Sequence, residues 1–267
     1  MIRLIRICED RMHAMLVEGI AERVVAEFTA TGWPFDAWEL VDDTSKAPIT
    51  RRWCRLDGRD GHESSTALPK RAFGKGRAKA EGIVARKAVL HGLATLRAHG
   101  VTAADTVIFI VVDLHTASAD VSAALGSMCD AVDDVLRNEA LPPCVICVAM
   151  APEAESWVCA GFLAKTDQEA EALAALRRRV SFDPTTQPHR LTGGTETEPN
   201  DAKRALRELV TDKYSPRAEQ CWSDTALDVL ARNGQHAGVP EFLHALRCFM
   251  VPTLGGHLAT TDRGGRR

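Results

Sequence analysis

The chain has 267 residues with 33 Lys and Arg against 36 Asp and Glu, a formal net charge of −3. That length buries a full core in one domain or in one domain with a small appendage, and the charge balance carries no global signal for nucleic acid or membrane. No apolar run approaches the length of a membrane span. The start, Met1 to Cys8, is too short and too charged for a signal peptide, and eight scattered cysteines suit buried thiols in a reducing cytoplasm.

Residues 2–8 alternate apolar and basic and read as a first strand, closed by Glu9 and Asp10. Met12, Leu16, Ile20, Val24 and Phe28 then recur at helical spacing, which predicts an amphipathic helix over 10–30. Gly32-Trp33-Pro34 ends it, and a short strand is expected over 37–41. Residues 42–78 show little periodicity and many charges, long for a structureless loop. Their end, Lys70 to Lys79, is the strongest basic cluster of the chain. A helix is predicted over 79–99.

The run Val107-Ile108-Phe109-Ile110-Val111-Val112 lies between Asp105 and Asp113. Its β-branching favours strand, and an unbroken apolar run suits a strand covered on both faces of a parallel sheet. Asp113 and His115 sit past its carboxyl end, where open α/β sheets bind ligands. The alternative is that Asp113 only caps the following turn. A helix over 120–137, a strand over 144–150 and a helix starting at Pro152 follow. Further helices are expected over 167–179, 200–211, 219–232 and 239–249, around a loop at 183–200, with a disordered tail from 251. The order β, α, β, loop, α, β, α, β, α is that of a parallel α/β sheet flanked by helices. The expected division is an α/β core over 2–165 and a helical C-terminal extension over 166–250.

Two acidic spots therefore fall at carboxyl ends of strands: Glu9-Asp10 and Asp113-Leu114-His115. Clustered oxygen ligands suit Mg²⁺ or Mn²⁺, and an imidazole tilts the choice toward Mn²⁺. Glu153 and Glu155 follow a third strand but do not share a helix face; one of them can instead serve the helix dipole. His13 lies four residues after Glu9 and can lean toward the site from the first helical turn, with an exposed helical histidine as the equal alternative. Lys70, Arg71, Lys75 and Arg77 are candidates for phosphate contacts, against a solvated loop as the alternative. Gly74-Lys75-Gly76 lacks the Walker spacing and follows no strand. Cys144 and Cys147 fall on opposite faces of their strand, so core thiols are the better reading than a metal site.

The pair of motifs, Ile5-Arg6-Ile7-Cys8-Glu9-Asp10 and Val111-Val112-Asp113-Leu114-His115, resembles the toprim fold. More narrowly, the chain resembles a toprim-like bacterial family of uncharacterised proteins, relatives of the overcoming-lysogenization-defect type of toprim nuclease. Glu155-Ser156-Trp157 resembles that family's glutamate–any–tryptophan helix. Asp201 to Leu206, with Tyr214 following, loosely resembles its later Pro-Lys helix. The resemblance implies a toprim-like Rossmannoid sheet and a Mg²⁺- or Mn²⁺-dependent nuclease or phosphotransferase. Glu9, Asp113 and His115 would bind metal, Glu155 would assist, and DNA or RNA would be the substrate. It also implies a place in phage defence, with a protein partner from the same locus, and leaves a non-catalytic regulatory or binding subunit as the alternative. The chain departs from the family in two places. Glu9 follows Cys8 instead of standing in Val-Glu-Gly, and His115 replaces a second aspartate. A literal Val17-Glu18-Gly19 falls inside the first predicted helix, where it cannot end a strand.

Overall fold

The computed structural model describes residues 3–8, 11–28, 77–98, 100–115 and 121–255, with backbone alone at 77–80 and in the short strands at 39–41, 48–50 and 53–55. Among these residues the chain is α/β, a parallel sheet between two layers of helix. Strand β1 (Arg3–Cys8) leads into α1 (Arg11–Phe28). Three short strands follow, β2 (Glu39–Val41), β3 (Pro48–Thr50) and β4 (Trp53–Arg55), and then α2 (Arg77–Ala98). The organising run is β5 (Thr106–Asp113), followed by α3 (Val121–Leu136), β6 (Cys144–Met150) and α4 (Ala154–Ala160). The sheet order is β4-β1-β5-β6, every neighbour parallel, while β2 and β3 form a separate antiparallel pair.

β5 is buried along its whole length because it is a central strand covered on both faces. Its side chains alternate between two cores, as the strand period requires. Val107, Phe109 and Val111 join α1 and the C-terminal helices, whereas Ile108, Ile110 and Val112 join α2 and α3. α2 and α3 press together at Gly82, where a Cβ would stand 2.5 Å from the Ser127 hydroxyl and 2.8 Å from its carbonyl oxygen.

The C-terminal region is helical as expected: α5 (Asp167–Val180), α6 (Ala202–Val210), α7 (Pro216–Ser223), α8 (Leu227–Asn233) and α9 (Val239–Ala245). α9 runs on through one π turn at Leu246–Met250 into α10 (Val251–Thr253). These helices share one continuous core with α1 and the sheet. Phe242 stacks edge-on against Phe109 of β5 at 5.9 Å and lies 5.7 Å from Trp157 of α4. Gly238 has φ +98°, and a Cβ there would meet the Ala149 carbonyl oxygen at 2.1 Å, so only glycine lets this turn lie on β6.

Four sequence expectations need correction. β3 and β4 fall inside the stretch expected to lack structure. β4 is found by pairing, Arg6 with Trp53 and Cys8 with Arg55, and three residues carry too little periodicity to announce it. The helix expected to start at Pro152 starts at Ala154, because the Pro152 carbonyl is tied to the end of β5 by the His115 N–H at 2.7 Å. The helix expected over 219–232 is two, α7 and α8. The Thr225 hydroxyl between them donates to the Gly161 carbonyl at 2.7 Å and holds the chain out of helix. The ordered chain also passes the expected boundary at 250, since Val251 is fully buried in the core. No described helix is long and apolar enough to cross a membrane.

Candidate functional site

Asp113 is the last residue of β5 and follows the odd-numbered parity that faces α1 and the C-terminal helices. It is 8 % exposed, so its carboxylate needs partners. Oδ1 accepts from the Ala154 N–H at 3.0 Å, and Oδ2 lies 2.9 Å from Nε2 of His13 on α1. Asp113 thus caps a helix, but α4, which follows the next strand, and not the turn after its own. A carboxylate at a helix N-terminus satisfies an orphan N–H and meets the positive end of the dipole.

His115 has φ +52°, which turns it away from the direction of Asp113. Its Nδ1 faces Oε1 of Glu153 at 3.0 Å, and Lys203 of α6 reaches the same carboxylate at 3.3 Å. Burial would raise the Glu153 carboxyl, but the hydrogen bond from His115 and the Lys203 charge outweigh it and hold the group below its ordinary value. Burial would lower the Lys203 ammonium, and the carboxylates of Glu153, Glu155 and Asp113 hold it above its ordinary value instead.

Glu155 and Trp157 divide one turn of α4 between site and core. Residues two apart point to different sides of a helix. Trp157 goes inward, its indole N–H donating to the Ala237 carbonyl at 2.6 Å. Glu155, only 3 % exposed, stays at the rim, 3.7 Å from the Lys213 ammonium. Its carboxyl is pushed up to about 7, first by burial and then by the negative charge of Asp113, with Lys213 opposing. A shallow cavity of about 260 Å³ opens beside it, lined also by Lys203, Arg207, Lys213 and Tyr214.

The structure therefore brings Asp113, His115 and Glu155 to one rim of the sheet and adds His13, Glu153, Lys203 and Lys213. The two lysines come from segments some ninety and a hundred residues further along the chain than β5. Only the family likeness drew attention to Lys203, and no local pattern marks Lys213. Glu9, Lys70, Arg71 and Lys75 lie outside the described residues, and Arg77 is the first residue of α2. β1, which ends at Cys8, and β5 are neighbours, with Ile7 of β1 paired to Ile110 of β5. Glu18 of the Val17-Glu18-Gly19 triplet is buried in α1 and forms an ion pair with Arg6 of β1. It supports the fold behind the rim. Among the described residues, no group of three or more His, Cys, Asp and Glu side chains is spaced to hold a metal ion.

The fold and rim together define an α/β protein with an acidic, lysine-edged cluster at the carboxyl end of its sheet. No protein-family model matches the chain, and neither the curated proteins nor the solved structures contain a match.

Proposed function

We propose that this protein is a Mg²⁺- or Mn²⁺-dependent nuclease or phosphotransferase of toprim type that acts on nucleic acid. The observation that carries the reading is the buried Glu155 beside Asp113: burial first, and then the negative charge of Asp113, raise the Glu155 carboxyl to about 7. Perturbed carboxyls in a cleft are a mark of functional sites. The donor set fits a hard divalent ion, since oxygen ligands suit it and a cation would relieve that repulsion. Asp113 and Glu9 would hold the ion, which when bound polarises a phosphoryl oxygen, and His115 would join them on leaving Glu153. Glu155, titrating near neutrality, both takes and gives a proton. Lys203 and Lys213 offset charge on a phosphate lying in the adjoining cavity. Lys70, Arg71, Lys75 and Arg77 would contact the nucleic-acid backbone. The link to phage defence rests on the family resemblance alone.

A second reading has its own support. Each described acid of the rim already faces a cationic or N–H partner within the chain: Glu153 with His115 and Lys203, Glu155 with Lys213, Asp113 with His13 and the Ala154 N–H. A rim neutralised from within suits a non-catalytic binding or regulatory subunit. The test is thermal unfolding with and without Mg²⁺ or Mn²⁺, beside strand-cleavage and phosphate-release assays. An ion bound at a hundred times its Kd adds about 2.7 kcal/mol of stability. Stabilisation with chelator-sensitive turnover supports the enzyme. Stabilisation without turnover, or neither, supports the subunit.

A further inference from the structure

β6 is one edge of the sheet, and among the described residues its outer side has no strand partner. Along it runs a groove of about 420 Å³ between α3 and the α9–π segment, lined among others by Leu125, Cys129, Val145, Cys147, His244 and Phe249. Cys147 points from β6 toward α3, into the core opposite the candidate rim. Its strand neighbour Cys144 packs on the other face, as alternation requires. The thiol beside Cys147 is therefore not Cys144 but Cys129 of α3, which lines the same groove. Cys129 is exposed, while Cys147 is buried.

We propose that Cys129 and Cys147 form a peroxide-oxidisable thiol pair, Cys129 attacking the oxidant and Cys147 resolving the product into a disulfide. Three features support the division of roles. Exposure gives a small hydroperoxide access to Cys129 through the groove. The neighbouring Cys147 thiol favours the Cys129 thiolate and holds that thiol below its ordinary range. Burial and the carboxylates of Asp133 and Asp130 oppose this, and Glu241 and His244 line the groove across from it. Cys147 is pushed up by the neighbouring Cys129 and by burial, so it keeps its proton until Cys129 has reacted.

The chemistry balances. The Cys129 thiolate attacks one peroxide oxygen, an S–O bond forms, the O–O bond breaks and hydroxide leaves, taking a proton to become water. The Cys147 sulfur then attacks the Cys129 sulfenic acid, giving up its proton as a second water departs. Two thiols are oxidised by two electrons and one hydroperoxide is reduced. The two thiols close to a sulfur–sulfur bond of about 2.05 Å.

The experiment treats the full chain with hydrogen peroxide and maps its disulfides by peptide mass spectrometry, with alkylation rates measured at pH 7. The expected result is a dithiothreitol-reversible Cys129–Cys147 bridge. Cys129 should also alkylate about tenfold faster than Cys248, the other exposed cysteine among the described residues. Cys147→Ser should replace the bridge by a Cys129 sulfenic acid that a dimedone probe captures, and Cys147→Ala serves if serine unfolds the core. Oxidation that links Cys129 to another cysteine or to a second chain overturns the proposal, as does a Cys129 no faster than Cys248. The mapping on the unaltered chain decides the matter whether or not the variants fold.

Discussion

The two faces of the sheet are built from the same strands but from different chemistry. The face toward α2 and α3 is packed by alternate residues such as Ile108, Ile110 and Val112. Among the described residues that are buried and polar or charged, only Thr106, by its parity on β5, belongs to that side. The opposite face buries Arg6 with Glu18, His13 with Asp113, and Glu155 beside Trp157. Burying such groups is costly unless each is partnered. Hydrophobic side chains would fill that layer at less cost. The apolar face holds the sheet, and the polar face presents the rim.

The sharpest way to break the comparison is to make one change on each face. Asp113→Asn keeps the shape and the acceptor for Ala154 but removes the charge that would hold a cation. Groups outside the ligand shell already cost roughly 10–100-fold in metal affinity or activity, so a direct ligand should cost about a hundredfold or more. Circular dichroism should show the fold intact. Ile110→Val, its counterpart on the apolar face, should lose ~0.5–1.5 kcal/mol of stability and leave turnover unchanged. Activity surviving Asp113→Asn would remove the rim from catalysis.

The next largest effect belongs to the ion pair behind the rim. Arg6→Met alone leaves Glu18 charged and buried, and should cost ~3–5 kcal/mol in urea unfolding. Adding Glu18→Leu should recover most of that loss, because the pair is kept for its arrangement more than for its stability. A double variant as unstable as the single one would mean that the pair itself stabilises the fold.

Glu155 sets the pH dependence. Its carboxyl is raised from the ordinary 4.5 to about 7, so between those values the folded chain holds more protons than the unfolded one. Stability from this group is therefore full below about pH 4.5 and is lost as pH rises through 7. Glu155→Gln should flatten that slope and gain ~1–3 kcal/mol at pH 8, read from thermal or denaturant unfolding across pH. In the original chain a bound cation would compete with the same proton, so metal affinity should rise with pH through 7. An unchanged slope in the variant would assign the titration to another group.

The smallest effect per residue concerns the basic run. Neutralising Lys70, Arg71, Lys75 or Arg77 one at a time should lower the slope of nucleic-acid affinity against salt by about one each. Absence of salt-dependent binding in the unaltered chain would leave this run as a solvated loop.

Local pattern was enough for most of the elements. β6 begins and ends at the residues expected, and α1, α2, α3 and β5 differ only at their ends, because each is long and strongly periodic. The position of Asp113 at the carboxyl end of a buried strand was legible for the same reason, whereas His13 was placed only in the first helical turn, with a lean toward the site and an exposed position both open. The sequence by itself determined the α/β order, the doubly covered central strand and the opposite facing of Cys144 and Cys147, since these follow from periods of 2 and 3.6 along a few residues. Only the tertiary structure decided what meets at the rim. His115 turned toward Glu153, Lys203 and Lys213 arrived from the C-terminal helices, and Cys129 came to Cys147 across the α3–β6 contact. β4 joined the sheet by pairing with β1 alone. Such contacts join residues far apart in sequence through the packing of whole elements, and local periodicity carries no record of which distant side chain completes a site.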